Sequence, residues 1–303
     1  MTCFPIHLLR RAYINLYKTF CWMLASLLLP VCAMQVIASE AAIEFPTHDL
    51  NVSFDEVFAL DYAEPAAALP YAQDNPALQT GMLWLPVTSG AAQKAPLIIL
   101  VHGGCWLNAY DITHSFALST ALAQAGYAVW SLEYRRTGDV GGGWPGTFDD
   151  VIAGINFRAQ LQDYPVDVER FVIMGHSAGG HLALLAGGHF ADAKAVIGLA
   201  AITDIAEYAR GTNICQAVTK DFMGTEPDQN PALYALANPV VQQLHNNTYL
   251  LQGTDDAIVP FSSVPVAGTH SLVVEGAGHF DWVHPGTVAY GELITLLKEI
   301  FTP

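Results

Sequence analysis

Five residues, Gly175-His176-Ser177-Ala178-Gly179, constrain the fold of this chain more than any other feature. Before them runs Phe171-Val172-Ile173-Met174, which reads as a strand. After them comes His181-Leu182-Ala183-Leu184-Leu185, which reads as a helix. A strand that passes directly into a helix needs a sharp corner. Glycines two residues either side of Ser177 let neighbouring backbones pass closely, and the corner pushes the serine hydroxyl into the open. The helix N-terminus beneath it supplies positive potential and free N–H groups. The plain structural alternative is a glycine-rich turn with a helix-capping serine.

The surrounding pattern supports the first reading. From Thr80 onward short apolar strands alternate with helices. Strands are expected at 82–87, 97–102, 127–134, 170–175, 195–201, 248–252 and 271–275, and helices at 115–124, 147–161, 178–188 and 288–300. Residues 62–79, rich in Ala and Pro, read as a loop. The run 97–102 is apolar almost throughout, as a strand buried on both faces should be. Such alternation implies an α/β fold with a mostly parallel sheet flanked by helices on both faces. Ligands of open sheets sit beyond the carboxyl ends of the strands. The longer insertion at 205–236 reads as a small cap over that end.

A serine hydroxyl is a poor nucleophile until a base takes its proton and a carboxylate orients the base. Two late strand ends offer both. Gln252-Gly253-Thr254-Asp255-Asp256 follows one strand and Gly276-Ala277-Gly278-His279 the next. His279 therefore fits the base, rather than His270 or His284. Asp255 and Asp256 both remain candidates for the acid. A tetrahedral intermediate also needs N–H donors for its oxyanion. His102-Gly103-Gly104-Cys105-Trp106 ends the 97–101 strand, and Gly104, Cys105 and Ala178 are the candidate donors.

These motifs together resemble the esterase/lipase branch of the α/β-hydrolases. Within it they are similar to the carboxylesterase and kynurenine-formamidase-like group, which carries His-Gly-Gly-x-Trp. Glu133-Tyr134-Arg135, then Gly142 to Phe148, and Gly278-His279-Phe280-Asp281 extend the resemblance, which covers roughly residues 96–290. It implies an α/β-hydrolase fold and a Ser177-Asp256-His279 triad without a cofactor. Asp256 is the match because it lies just ahead of Val259-Pro260. The implied function is a serine hydrolase that cleaves a carboxylic ester of a small substrate through an acyl-enzyme. An amidase of the arylformamidase type and a non-catalytic binding protein on the same fold are the alternatives. Trp106, Trp144 and Phe280 are the expected substrate-pocket residues, with simple packing the alternative for Trp144. Two departures weaken any transfer of substrate. Gln252-Gly253 stands where relatives often have His-Gly, and only 261–269 joins the acid's loop to the last strand, where relatives usually have a helix.

Other chemistry is argued against. Gly141 to Gly146 fits G-x-G-x-x-G formally, but it lies away from any first strand-to-helix turn, so nucleotide binding is not expected. His176 and His181 have no partner ligands at metal spacing, and no metal is expected. Arg135 and Asp149 are expected to pair and hold the glycine-rich loop. The net charge is −16, and so acidic a surface repels nucleic acid.

The N-terminus has its own pattern. Arg10, Arg11 and Lys18 precede an uncharged apolar run, 20–38, and then Ser39, Glu40, Ala41 and Ala42. That describes a signal peptide over 1–38 followed by a catalytic domain over 43–303, hence an exported protein, periplasmic or secreted. The run approaches the length that spans a bilayer, so an uncleaved membrane anchor is the alternative. Three of the five cysteines lie in this leader, leaving Cys105 and Cys215. In an oxidising compartment these two can pair and tie the cap to the site, provided their Cα atoms come within about 7 Å.

Overall fold

The computed structural model describes residues 42–87, 94–263 and 266–302. The leader expected at 1–38 lies outside the described residues. Within them, α1 (Phe54–Phe58) precedes β1 (Ala67–Pro70), β2 (Thr80–Trp84) and β3 (Ala95–Val101). Then come α2 (Phe116–Gln124), β4 (Ala128–Leu132), α3 (Gly146–Asn156), β5 (Val166–His176), α4 (Ala178–Gly187) and β6 (Val196–Leu199). Four short helices follow: α5 (Ile205–Tyr208), α6 (Ile214–Ala217), α7 (Thr219–Met223) and α8 (Pro231–Leu236). The chain ends on β7 (Thr248–Gly253), β8 (His270–Val274) and α9 (Val288–Phe301). Among the described residues no helix is long and apolar enough to cross a membrane.

The eight strands form one sheet in the order β1-β2-β4-β3-β5-β6-β7-β8. β1 and β2, and β2 and β4, pair antiparallel, and every other neighbouring pair is parallel. This is the α/β-hydrolase architecture that the sequence motifs imply. The apolar run in β3 explains its centre. Successive side chains of a strand point to opposite faces. Leu97, Ile99 and Val101 join Val151 and Ile155 of α3 and Leu182 and Ala186 of α4 in one core. Ile98 and Leu100 join Leu118 and Leu122 of α2 and Leu293 and Leu297 of α9 in the other.

One segment differs from its expected form. Residues 62–79 are not all loop, because Ala67–Pro70 adds to the sheet edge beside β2. Ala67 and Leu69 are partly buried against the core while their neighbours face solvent. Two apolar residues in four are too short an alternation to stand out, and Pro70 is tolerated because the strand lies at an edge.

The pairing of Cys105 with Cys215 is present. It joins the loop after β3 to α6, with Cα atoms 5.1 Å apart across 110 residues of sequence. Cross-linking so long a loop restricts the unfolded chain strongly. Cys215→Ser is therefore expected to cost about 2–5 kcal/mol of stability, read as a lower urea midpoint. An unchanged midpoint would show that the cross-link adds nothing.

Candidate active site

The corner after β5 is a strained one. Ser177 has φ 56° and ψ −119°, a region that side-chain-bearing residues rarely enter. Its N–H donates to the Leu199 carbonyl at 2.8 Å. A Cβ on Gly179 would collide with the carbonyls of Val101 and His102, and one on Gly175 with the carbonyl of Gly179. The two glycines thus let β5 and α4 approach each other and β3. Ser177 lines a cavity of about 520 Å³ with Gly104, Cys105, His176, His279 and Phe280.

His279, which lines this cavity, meets Asp256; they follow β8 and β7 respectively. His279 Nδ1 lies 2.7 Å from Asp256 Oδ2. The other oxygen, Oδ1, accepts from the N–H groups of Ile258 and Val259, each at 2.8 Å. Gln252 Nε2 donates to Oδ2 at 3.0 Å and to the Val259 carbonyl at 2.9 Å. The carboxylate is therefore held from four directions. Asp255 is exposed, and its side chain accepts from Thr254 Oγ1. His176 Nε2 lies 3.0 Å from the His279 carbonyl and holds that backbone. Among the described residues no hydrogen bond joins Ser177 Oγ to His279. That contact commonly tightens only when substrate binds.

The loop after β3 holds three successive residues at positive φ: Gly104 at 108°, Cys105 at 54° and Trp106 at 57°. Both non-glycine residues are pinned by their side chains. Cys105 is bonded to Cys215. The Trp106 indole is fully buried and stacks on Phe222 with ring centroids 4.7 Å apart. Behind the loop, His102 Nε2 lies 3.1 Å from Glu133 Oε1, and the Tyr134 hydroxyl donates to the His102 carbonyl at 2.7 Å. Among the described residues the N–H groups of Gly104 and Cys105 donate to no carbonyl. The N–H of Ala178 is in the first turn of α4, where no intrahelical partner exists.

Three expectations are corrected. Trp106 does not line the cavity, because the positive φ turns its ring into the core against Phe222, His181 and Tyr208. Trp144 packs on Phe148 and Phe222 instead of reaching the cavity. Arg135 pairs with Asp150, at 2.8 Å from Nε and 2.7 Å from Nη2, while Asp149 is exposed. The phase of α3 turns Asp150 inward and Asp149 out. Phe280 does line the cavity. Among the described residues no three His, Cys, Asp or Glu side chains are grouped to hold a metal ion.

The sequence profile of the BD-FAE family matches residues 83–266, more than half of the chain. The chain belongs to the BD-FAE family. Esterase LipQ of Mycobacterium tuberculosis is 25% identical over 252 residues, a match covering 77% of this chain and 56% of LipQ. Human dipeptidyl peptidase 8 is 29% identical over 205 residues, covering 61% of this chain and 22% of the peptidase. The chain thus spans about half the length of LipQ and a smaller part of the peptidase. Among solved structures, esterase B from Lactobacillus rhamnosis superposes with a TM-score of 0.66 at 18% identity. That match covers 82% of this chain and 89% of the esterase.

This BD-FAE family member has buried imidazoles at His114, His176 and His181. Burial pushes His114 and His181 down from 6.5 to about 4. Burial also holds His176 well below the ordinary value, with the neighbouring His279 ring 4.6 Å away adding to the effect. In the unfolded chain these groups take up protons near the ordinary value. Unfolding therefore binds protons between pH 6.5 and about 4, and stability drops as pH falls through that window. The urea midpoint is expected to be clearly lower at about pH 4.5 than at about pH 7. Equal midpoints would mean that the imidazoles are not buried in the neutral form.

Proposed function

We propose that this chain hydrolyses carboxylic esters of small molecules through an acyl-enzyme on Ser177. The observation that carries the reading is the His279–Asp256 pair, 2.7 Å apart, at the wall of the cavity that Ser177 lines. The esterase relative favours it. His279 Nε2 takes the proton from Ser177 Oγ as Oγ attacks the ester carbonyl carbon. Asp256 stabilises the imidazolium and fixes its tautomer. The N–H groups of Gly104, Cys105 and Ala178 receive the oxyanion. His279 then protonates the departing alcohol. In the second half it deprotonates the water that attacks the acyl carbon and returns that proton to Ser177 Oγ as the carboxylic acid leaves.

The similarity to a peptidase favours one second reading, amide cleavage by the same groups with His279 protonating the leaving amine. A panel of 4-nitrophenyl esters, N-formyl amides and peptide 4-nitroanilides separates the two. Esters are expected to turn over with the higher kcat/KM. Faster amide turnover would replace the first reading by the second, and no turnover of any substrate would leave a binding protein.

The same proposal has the protein exported, periplasmic or secreted. The basic-apolar-small leader and the Cys105–Cys215 pairing support this. N-terminal sequencing of exported protein is expected to begin between Ser39 and Ala42. An intact Met1 would point to an anchor.

A further inference from the structure

The cavity beside Ser177 has a wall that comes from outside the matched family region. The family match begins at residue 83, yet Phe54 of α1 lines the cavity. Its ring lies 5.6 Å from Tyr110, 5.7 Å from Phe280 and 5.7 Å from His114, centroid to centroid. The segment is not loosely draped. The N–H groups of Asn51 and Val52 donate to the two oxygens of the Asp281 carboxylate at 2.8 and 2.9 Å. Gly278 N–H donates to the same carboxylate at 2.6 Å. Asp281 is fully buried and sits two residues beyond His279. One carboxylate therefore holds the base's loop and the Phe54 wall together. Ser53 and Glu56 cap α1 reciprocally and fix where Phe54 starts.

The chemistry of the wall is as informative as its origin. Phe54, Tyr110, Ile214, Ile258 and Phe280 line the cavity together with Ser177 and His279. Among the described residues lining the cavity there is no Asp, Glu, Lys or Arg. The lining imidazoles of His114 and His176 are neutral at neutral pH because burial lowers both. The Asn213 amide at the rim is already used, with Nδ2 donating to the Ile258 carbonyl at 2.9 Å and Oδ1 accepting from Gln216 N–H at 2.9 Å. A charged group packed against these walls would give up part of its water and find no counter-charge, which disfavours it relative to an apolar group. A volume of about 520 Å³ is that of a small-molecule site.

We propose that the cavity receives an uncharged apolar group of the ester and that Phe54 is the residue that selects for it. This rests on the ester-hydrolase reading of Ser177 and narrows its substrate class. Two matched ester pairs test it, one with the charge on each side of the scissile bond. The first is 4-nitrophenyl hexanoate against the mono-4-nitrophenyl ester of adipate. The second is hexyl acetate against 6-acetoxyhexanoate. In at least one pair the uncharged ester is expected to have the higher kcat/KM by about 30-fold or more, the consequence of an unpaired charge in an apolar site. Phe54→Ala is expected to reduce that ratio by about tenfold, as loss of an apolar pocket wall does. Phe54→Leu should reduce it less. Each ratio is taken on one preparation, so it does not depend on how much of a variant is folded. Turnover of all four esters without preference, or a ratio that neither variant changes, would overturn the inference while leaving the hydrolase reading intact. No turnover of any of the four would overturn both.

Discussion

Ser177→Ala is expected to lower kcat by about 10⁶, the loss seen when the nucleophile of a serine-histidine unit is removed. The size follows from cooperation rather than from one contact. His279 has a proton to accept only if Ser177 supplies it, and the Asp256 carboxylate acts only through His279. A second substitution, His279→Ala, should therefore add little to the first. The change should leave the fold in place. The hydroxyl is small, and the hydrogen bond from this residue to Leu199 is made by the backbone. Alanine tolerates the positive φ of the corner about as well as serine does. Steady-state kinetics with an unchanged melting temperature provide the check. Retention of more than about 1% of activity would be incompatible with a nucleophilic Ser177.

Asp256→Asn is expected to lower kcat by about 10⁴, and Asp255→Asn to leave most activity. The hydrogen-bond inventory supplies the reason. Asp256 accepts from four donors: Ile258 N–H, Val259 N–H, Gln252 Nε2 and His279 Nδ1. An asparagine has one oxygen and one NH₂. If the oxygen keeps the two backbone groups, the NH₂ faces Gln252 and His279. His279 then turns to the tautomer with its proton on Nε2, where it cannot accept from Ser177. If the amide flips, its NH₂ opposes two backbone N–H groups in a buried loop. Asp255 has no such role, since its exposed carboxylate accepts from Thr254. Kinetics and circular dichroism of both variants distinguish the outcomes. An inactive Asp255→Asn beside a working Asp256→Asn would exchange the two roles.

The meeting of Ser177 and His279 at one cavity is legible because their signals are local. Ser177 sits between two glycines at a strand-to-helix junction, and His279 follows the last strand in the required order. The choice between Asp255 and Asp256 rests on the resemblance, through Val259-Pro260, because composition and periodicity do not show which of two adjacent residues faces inward. Direction also decides where the Trp106 ring goes. It adjoins the candidate oxyanion donors in sequence, but its φ of 57° sends the ring into the core. Arg135 pairs with Asp150 and not with the expected Asp149 for the same reason, one residue of helix phase. Gln252 was visible as a departure from relatives, yet its hold on Asp256 depends on the loop folding back over β7. Phe54 carries no motif. It reaches the cavity only because the buried Asp281 carboxylate, from the far end of the chain, captures the segment before α1.

That Ser177 is the nucleophile is tested most directly by covalent labelling. The protein is incubated with an alkyl fluorophosphonate, whose phosphorus takes the place of the ester carbonyl and whose fluoride leaves. Peptide mass spectrometry then locates the adduct. The expected result is a single phosphonyl group per chain, on Ser177, with ester hydrolysis lost in proportion to labelling. Failure of Ser177 to label in active protein, or hydrolysis that persists once Ser177 is fully labelled, would contradict the assignment.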